Sequence, residues 1–303
     1  MRVIQLYRHG FTMGTPPATS PHLRAPRSTV AGWSHGATRR NIAFLRSIDE
    51  TKVVYDSDGK QLIALAVTLT LRDCPPSSDD FHRVRNALIR RLKRLGMVRM
   101  HWVIEWQRRG VPHLHCAVWF EHQDYVTLCI SITKAWLELT QEWRTSHSGQ
   151  YITPISDAVG WFEYVSKHAA RGVNHYQRSP DNIPKSWLNK TGRVWGKVGD
   201  WSSVLVPAGR IDVEKADYFK MRRIVRAWRL ADSRANVHSF GVKRISAARR
   251  MLKCNERAMS EVRGASEWMP EQQFMRAYSW LLSITGGGHN AFGNQNPERS
   301  AGN

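Results

Sequence analysis

The sequence predicts an α+β fold in which a central antiparallel β-sheet is flanked by helices. An alternating run at 61–72 is typical of a strand, and two apolar runs on either side of Gly110 are typical of a β-hairpin. The segments between these runs carry apolar residues at helical spacing. This order of elements indicates one α+β domain near the middle of the chain.

The segment before the first strand has a different character. Residues 11–35 are rich in Pro, Thr, Ser and Gly, so they are predicted to be poorly ordered. A short helix with several arginines is expected at 37–48. Together they predict an N-terminal arm and short basic helix over 1–55.

The predicted sheet domain covers residues 56–209. Its expected elements are a strand at 61–72, a helix at 78–95, the hairpin at 97–120, a helix at 124–145, a helix that begins after Ser156 as its N-cap, and strands within 193–209. In the first strand large side chains alternate with small ones, which predicts that one face packs on helices and the other lies under a functional surface.

Residues 210–285 are predicted to form a basic helical region. Helices are predicted at 213–230, 242–253 and 270–284, and residues 209–264 hold 15 Lys and Arg against 6 Asp and Glu. Residues 286–303 are rich in Gly and Asn and are predicted to be a disordered tail.

The hairpin loop length decides which side chains share a face. A three-residue loop over 108–110, with Gly110 in the left-handed conformation, puts Glu105 opposite His113. Glu105, His113 and His115 then share one face, and apolar side chains fill the other. A four-residue loop would move Glu105 into the apolar layer, where an unpaired carboxylate is costly. The three-residue loop is therefore predicted.

Two imidazoles and one carboxylate on one face are a candidate metal site. Mixed nitrogen and oxygen ligands with open positions suit Mn²⁺ or Mg²⁺ better than a closed structural zinc site. Two histidines two residues apart on a strand are more often surface or hydrogen-bonded residues. Glu105 opposite His113 favours the metal interpretation.

Tyr164 is a candidate nucleophile in the helix that follows Ser156. Lys167 lies one turn later on the same helical face, where it could position a phosphate or favour the phenolate. The alternatives are a packed tyrosine in the core and a solvated lysine.

These motifs resemble the HUH-endonuclease superfamily (His-hydrophobic-His), specifically single-tyrosine rolling-circle replication initiators of filamentous phages, small single-stranded DNA viruses and plasmids. The order matches: an apolar strand with hydroxyls at 66–71, then His113-Leu114-His115 with an upstream acidic ligand, then Tyr164 and Lys167. Residues 192–196 also look like a segment of phage-type initiators. In relaxases the tyrosine comes first, which makes that branch a poorer match.

The resemblance covers about residues 60–205 and implies a ferredoxin-like or RRM-like nuclease domain. It also implies that Tyr164 nicks one DNA strand at an origin, forms a 5′-phosphotyrosine and later rejoins the strand. Two alternatives stay open: a single-tyrosine transposase of the same superfamily, and a non-catalytic basic DNA-binding regulator with a degenerate metal motif.

The charge of the chain agrees with a nucleic-acid partner. Its formal net charge is +20 and its pI about 10.4, as expected for a surface that binds phosphates of single-stranded and origin duplex DNA. For the C-terminal arginines, a solvated helical face is the alternative. The candidate DNA-binding residues are Thr68, Thr70, Arg108, Arg109, Arg193, Arg222, Arg223 and Arg226.

Other features limit the function. The sequence lacks a Gly-x-x-x-x-Gly-Lys-Ser/Thr segment, so a fused ATP-driven helicase is not expected and a host helicase is the expected partner. No apolar run has transmembrane length and no signal peptide is evident, so the bacterial cytoplasm is predicted. Four cysteines show no paired zinc spacing.

Overall fold

The computed structural model describes residues 2–14, 30–121, 123–162, 176–235, 245–246, 266–267 and 271–285. It divides the chain into two compact units, one formed by His22–Val206 and the other by Met1–Pro21 together with Pro207–Asn303. Among the described helices, none combines the length and the apolar character that a membrane span needs.

Both units contain strands and helices. The strands are β1 (Arg2–Tyr7), β2 (Gly10–Gly14), β3 (Ile63–Leu69), β4 (Met97–Trp106), β5 (Pro112–Phe120), β6 (Tyr151–Pro154), β7 (Trp195–Gly199), β8 (Gly209–Val213) and β9 (Ser266–Glu267). The helices are α1 (His35–Arg46), α2 (Ser78–Arg94), α3 (Tyr125–Leu139), α4 (Lys215–Ala235) and α5 (Glu271–Thr285). These elements confirm the predicted α+β class.

The larger unit is built on an antiparallel sheet with the strand order β6-β3-β5-β4-β7. One face packs on α2 and α3, where Arg85 lies 4.1 Å over the Trp102 ring and Phe81 meets Trp136 edge to face. On the other face, Phe44 of α1 stacks on His101 with ring centroids 5.5 Å apart. The second face is the one that carries the polar side chains of the candidate site.

The helices of this unit begin where the sequence provides caps. Ser77 accepts a hydrogen bond from the Asp80 backbone N–H at the start of α2, and Asp124 accepts one from Thr127 at the start of α3. Helix α3 ends at Leu139 rather than at the predicted residue 145, because a 3₁₀ turn follows and Arg144 adopts a left-handed conformation with φ 50°.

The smaller unit corrects two predicted boundaries. Its sheet has the order β8-β1-β2-β9, so residues 2–14 pair with 209–213 and do not form part of an arm with residues 30–55. The range 210–285 likewise contains strands as well as helices. Apolar side chains of β1 and β2, such as Ile4 and Phe11, are buried against Tyr218 of α4 and Phe274 of α5. This shared core explains why β1, at the start of the chain, pairs with the distant β8.

Other predictions fall partly or wholly beyond the described ranges. Most of the helix expected at 242–253 and the whole tail at 286–303 lie outside them. The helix expected after Ser156 is described over 158–162, and the Trp161 N–H bonds the Asp157 carbonyl at 3.0 Å. The residue before the first helical turn is therefore Asp157, one position later than predicted.

Candidate metal centre

The hairpin has the predicted register. Gly110 has φ 76°, in the left-handed region, and the Gln107 N–H bonds the Val111 carbonyl at 2.9 Å, which closes the three-residue loop. Glu105 consequently lies opposite His113.

Three possible ligands converge on this face. One ligand atom from each of Glu105, His113 and His115 lies within 4.8 Å of the other two. The His115 Nε2 atom is 3.7 Å from Oε2 of Glu105, and the two imidazole centroids are 4.4 Å apart. Glu105 is 2% exposed and His113 6% exposed, so the site is withdrawn from bulk water.

Arg178 completes the polar environment of Glu105 and was not predicted from the sequence. Its Nε atom donates to Oε1 of Glu105 at 2.6 Å, and its side chain is fully buried. The guanidinium lies 3.9 Å over the ring of Trp33, whose indole N–H donates to the Ile104 carbonyl at 2.8 Å. Because Arg178 is hydrogen-bonded to Oε1, the second oxygen of Glu105 faces the histidines.

Two further side chains contact the histidines. The Thr68 hydroxyl is 2.9 Å from Nδ1 of His115, and Thr68 stands opposite His115 in the sheet. The Gln177 side-chain amide is 3.4 Å from Nε2 of His113. Such contacts fix ring orientation, and in His115 they leave Nε2 facing Glu105. Thr68, predicted as a DNA contact, therefore has a local role beside the candidate ligands.

The charges in the cluster favour metal binding. Burial by itself would raise the pKa of Glu105, but the positive charge of Arg178 and the nearby histidines hold that pKa below its usual value. Burial lowers the pKa of His115, with Glu105 opposing this and Arg178 adding to it. An ionised carboxylate and a neutral imidazole are the states that bind a cation.

The predicted catalytic pair, Tyr164 and Lys167, lies outside the described residues. The described start of their helix gives one relevant contact. Phe162 is fully buried, with its ring centroid 6.0 Å from that of Trp119. Trp119 is an even number of residues from His113 and His115 in β5, so it belongs to the same face of the sheet.

The predicted DNA contacts near the hairpin have different surroundings. The Thr70 hydroxyl donates to the Gly149 carbonyl at 2.6 Å. The Arg109 guanidinium donates to the carbonyls of Leu71 and Arg72, so it connects the hairpin loop to the segment that follows β3. Arg108 is exposed and lies 5.1 Å over the Tyr176 ring, and Arg193 is also exposed.

The arginines of α4 do not all face outward. Arg222 is 4% exposed, whereas Arg223 is exposed and Arg226 is partly exposed. Helical periodicity explains the difference, since Arg222 follows Met221 and Tyr218 into the core of the smaller unit. As described, Arg222 is not on the surface that a DNA phosphate would reach.

The donor set fits a divalent cation. It offers two imidazole nitrogens and one carboxylate oxygen on a rigid hairpin, with Arg178, Thr68 and Gln177 around them. Three ligands of this kind leave coordination positions for substrate oxygens, as Mn²⁺ and Mg²⁺ sites commonly do.

Comparison with known proteins places the chain in a family. The family model for replication-associated protein ORF2 matches residues 64–170, a range that includes Glu105, His113, His115 and Tyr164. No solved structure matches the chain.

Curated relatives match nearly the whole chain. It is 53% identical over 287 residues to the replication-associated protein of Pseudomonas phage Pf3, covering 93% of this chain and 98% of the relative. A putative replication protein of Xylella fastidiosa strain 9a5c is 47% identical, with 89% and 93% covered. Another from strain Temecula1 is 46% identical, with 88% and 99% covered. The resemblance to phage-type replication initiators is thereby confirmed, and the chain belongs to the replication-associated protein ORF2 family, together with the phage Pf3 protein.

Proposed function

We propose that this replication protein nicks one DNA strand at an origin, holds the cut end on Tyr164 and later rejoins it. The observation that carries the proposal is the convergence of Glu105, His113 and His115, whose ligand atoms lie within 4.8 Å of one another beside an ion-paired arginine. A structural hairpin has no need to bring a buried carboxylate, a buried imidazole and a partly buried imidazole together on one face.

The proposed reaction is a reversible exchange of phosphodiester partners. The Tyr164 phenol oxygen attacks phosphorus and loses its proton, a P–O bond forms, and the bond to the 3′-oxygen breaks. The departing oxygen takes up a proton and becomes a free 3′-hydroxyl. Attack of a 3′-hydroxyl on the phosphotyrosine reverses these steps, so rejoining requires no ATP.

Glu105, His113 and His115 would hold the cation, Mn²⁺ or Mg²⁺. When bound, the cation supplies neutralisation of the negative charge that develops on the phosphate oxygens. Arg178 keeps the Glu105 carboxylate ionised and oriented, and Thr68 orients His115. Lys167, one helical turn after Tyr164, is proposed to favour the phenolate.

Tyr164 is supported by its position in the chain. It follows Phe162 by two residues, and Phe162 packs against Trp119 on the face that carries the two histidines. It also falls within the range matched by the family model.

The proposed partners are single-stranded DNA, origin duplex DNA and a host helicase that unwinds the duplex after the nick, all in the bacterial cytoplasm. The net charge of +20 supports DNA binding.

Incubation of the protein with a single-stranded DNA library and Mn²⁺ tests the activity. Sequencing of DNA that stays covalently attached to protein should recover fragments that share one 5′ end. Absence of any covalent adduct with Mn²⁺ or Mg²⁺ would leave only DNA binding and would refute the proposed chemistry.

A further inference from the structure

We propose that Tyr151 and Tyr176 are stacking sites for unpaired bases on either side of the scissile phosphate. This inference rests on the proposed function, because it assigns the path of the DNA strand past the same metal ligands. Both tyrosines have exposed rings. Tyr151 pairs with Thr68 in the sheet, and Tyr176 precedes Gln177, which contacts His113.

Tyr151 stands at the edge of the sheet in line with a ligand. It is 65% exposed and lies on edge strand β6, where it pairs with Thr68 of β3. Thr68 in turn pairs with His115. Residues directly opposite each other in an antiparallel sheet point to the same face, so these three side chains form one row. Two strand spacings, roughly 10 Å, separate the Cα positions of Tyr151 and His115.

Tyr176 stands at the other end of the site, beside the hairpin loop. It is 46% exposed, and the Arg108 guanidinium lies 5.1 Å over its ring. The two residues that follow it reach the ligands, because Gln177 contacts His113 and Arg178 bonds Glu105. The Asn182 amide donates to the Tyr176 carbonyl, which further fixes the backbone.

The two tyrosines therefore bracket the ligands. Tyr151 approaches from the β6 edge and Tyr176 from the hairpin loop, so a strand whose phosphate sits at the ligands passes an exposed ring on each side. Large exposed aromatic rings are unfavourable in water, and a tyrosine ring can be covered by any of the four bases. Arg108 adds a cation beside Tyr176 for the adjacent phosphate.

Nucleic-acid stacking predicts a specific pattern of substitution effects. Replacement of either tyrosine by Phe retains the ring and should leave DNA affinity unchanged. Replacement by Ala removes the ring and should weaken binding by about tenfold, as expected for loss of one base–aromatic stack. If instead one of these hydroxyls mattered, Phe would be as harmful as Ala.

The test measures fluorescence anisotropy of the full-length Tyr164→Phe protein, which should bind without cutting, on a labelled oligothymidylate. Tyr151→Ala and Tyr176→Ala are added singly and together, and each is measured again on an oligonucleotide of the same length made of abasic nucleotides. Tyr55→Ala is the matched control, since Tyr55 is 42% exposed and its described pairing is with Gln61, away from the ligands.

Stacking predicts that the two Ala substitutions weaken binding of oligothymidylate but not of the abasic oligonucleotide, whereas Tyr55→Ala affects neither. Equal losses on both oligonucleotides, or no loss on either, would overturn the stacking assignment and leave the metal centre intact. If the Tyr164→Phe protein without further substitutions did not bind oligothymidylate at all, the proposed function would be overturned as well. Unchanged melting temperatures of the variants exclude misfolding as the cause.

Discussion

Arg178 holds one oxygen of Glu105 and leaves the other for the histidines. The hydrogen bond from Arg178 Nε to Oε1 is 2.6 Å long, while Oε2 lies 3.7 Å from His115 Nε2. Both partners of the ion pair are almost fully buried. The arginine therefore orients the carboxylate so that its second oxygen is available to a cation bound beside the histidines.

Replacement of Arg178 by Met should weaken Mn²⁺ binding about tenfold or more, the usual effect of removing a residue that orients a metal ligand. Arg178→Lys retains the charge but loses the planar fork, so it should lie between Met and wild type. Titration of Mn²⁺ followed by electron paramagnetic resonance measures the dissociation constant directly.

Arg99→Met is the matched control for that experiment. Arg99 is also fully buried and bonds the Val53 carbonyl at 2.9 Å, but it has no described contact with the three ligands. Its replacement should lower the melting temperature and leave Mn²⁺ affinity unchanged. Equal affinities in wild type and Arg178→Met, or tighter binding in the variant, would show that Arg178 does not orient Glu105.

Substitution of the three candidate ligands should reduce nicking to different extents. His113→Ala and His115→Ala should abolish nicking and the rise in melting temperature that Mn²⁺ gives the wild-type protein. Glu105→Ala should retain some activity at high Mn²⁺, because water can replace a carboxylate ligand. Wild-type nicking in excess EDTA would contradict the metal assignment for all three.

Duplex affinity should depend on the smaller unit. A fragment of residues 22–206 keeps the complete larger unit, whereas a cut near residue 210 would leave β1 and β2 without β8. We expect the fragment to nick short single strands but to bind origin duplex less tightly and with a shallower salt dependence. Each lost phosphate contact lowers the slope of log affinity against log salt by about 0.9. An unchanged slope would assign duplex binding to the larger unit.

His101 should make stability depend on pH below neutrality. Burial and the charge of Arg178 lower the pKa of His101 to about 3, from 6.5 in the unfolded chain, and its Nε2 is 2.8 Å from Asn41 Oδ1. Between these values the unfolded state binds a proton that the folded state does not. The free energy of unfolding should therefore be highest above pH 6.5 and fall by up to about 1.4 kcal/mol per pH unit on acidification.

Urea denaturation of wild type and His101→Gln between pH 7 and pH 5 checks this expectation. The variant lacks the titrating group, so its stability should fall less steeply, by the equivalent of about one proton. Some dependence should remain, because burial also lowers the pKa of His82, to about 4. Identical slopes would mean that the pKa of His101 does not differ between the folded and unfolded states.

The parts of the site that the sequence predicts are those governed by local geometry. Strand alternation and a glycine in the left-handed region define the hairpin, so Glu105, His113 and His115 could be placed on one face without coordinates. The alternation of β3 likewise indicates that Thr68 shares that face.

The features that the sequence does not predict depend on contacts between segments that are distant in the chain. Arg178 reaches Glu105 from a short turn with no periodic pattern, 73 residues later in the chain. The pairing of β1 with β8 joins residues 2–6 to residues 209–213, which are far apart in the sequence. Short strands beside a segment rich in Pro, Thr and Ser resemble an irregular arm until their partner is known.

The most direct test of the proposed nucleophile is peptide mapping of the covalent DNA adduct in wild type and Tyr164→Phe. We expect DNA on Tyr164 in the wild-type protein. Because Phe removes only the phenol oxygen, the variant should lose the adduct and strand rejoining and keep its fold, Mn²⁺ binding and DNA affinity. Tyr151→Phe and Tyr176→Phe should still form the adduct. DNA attached to Tyr151 or Tyr176, or cleavage by Tyr164→Phe that leaves a free 5′-phosphate, would contradict the proposed nucleophile.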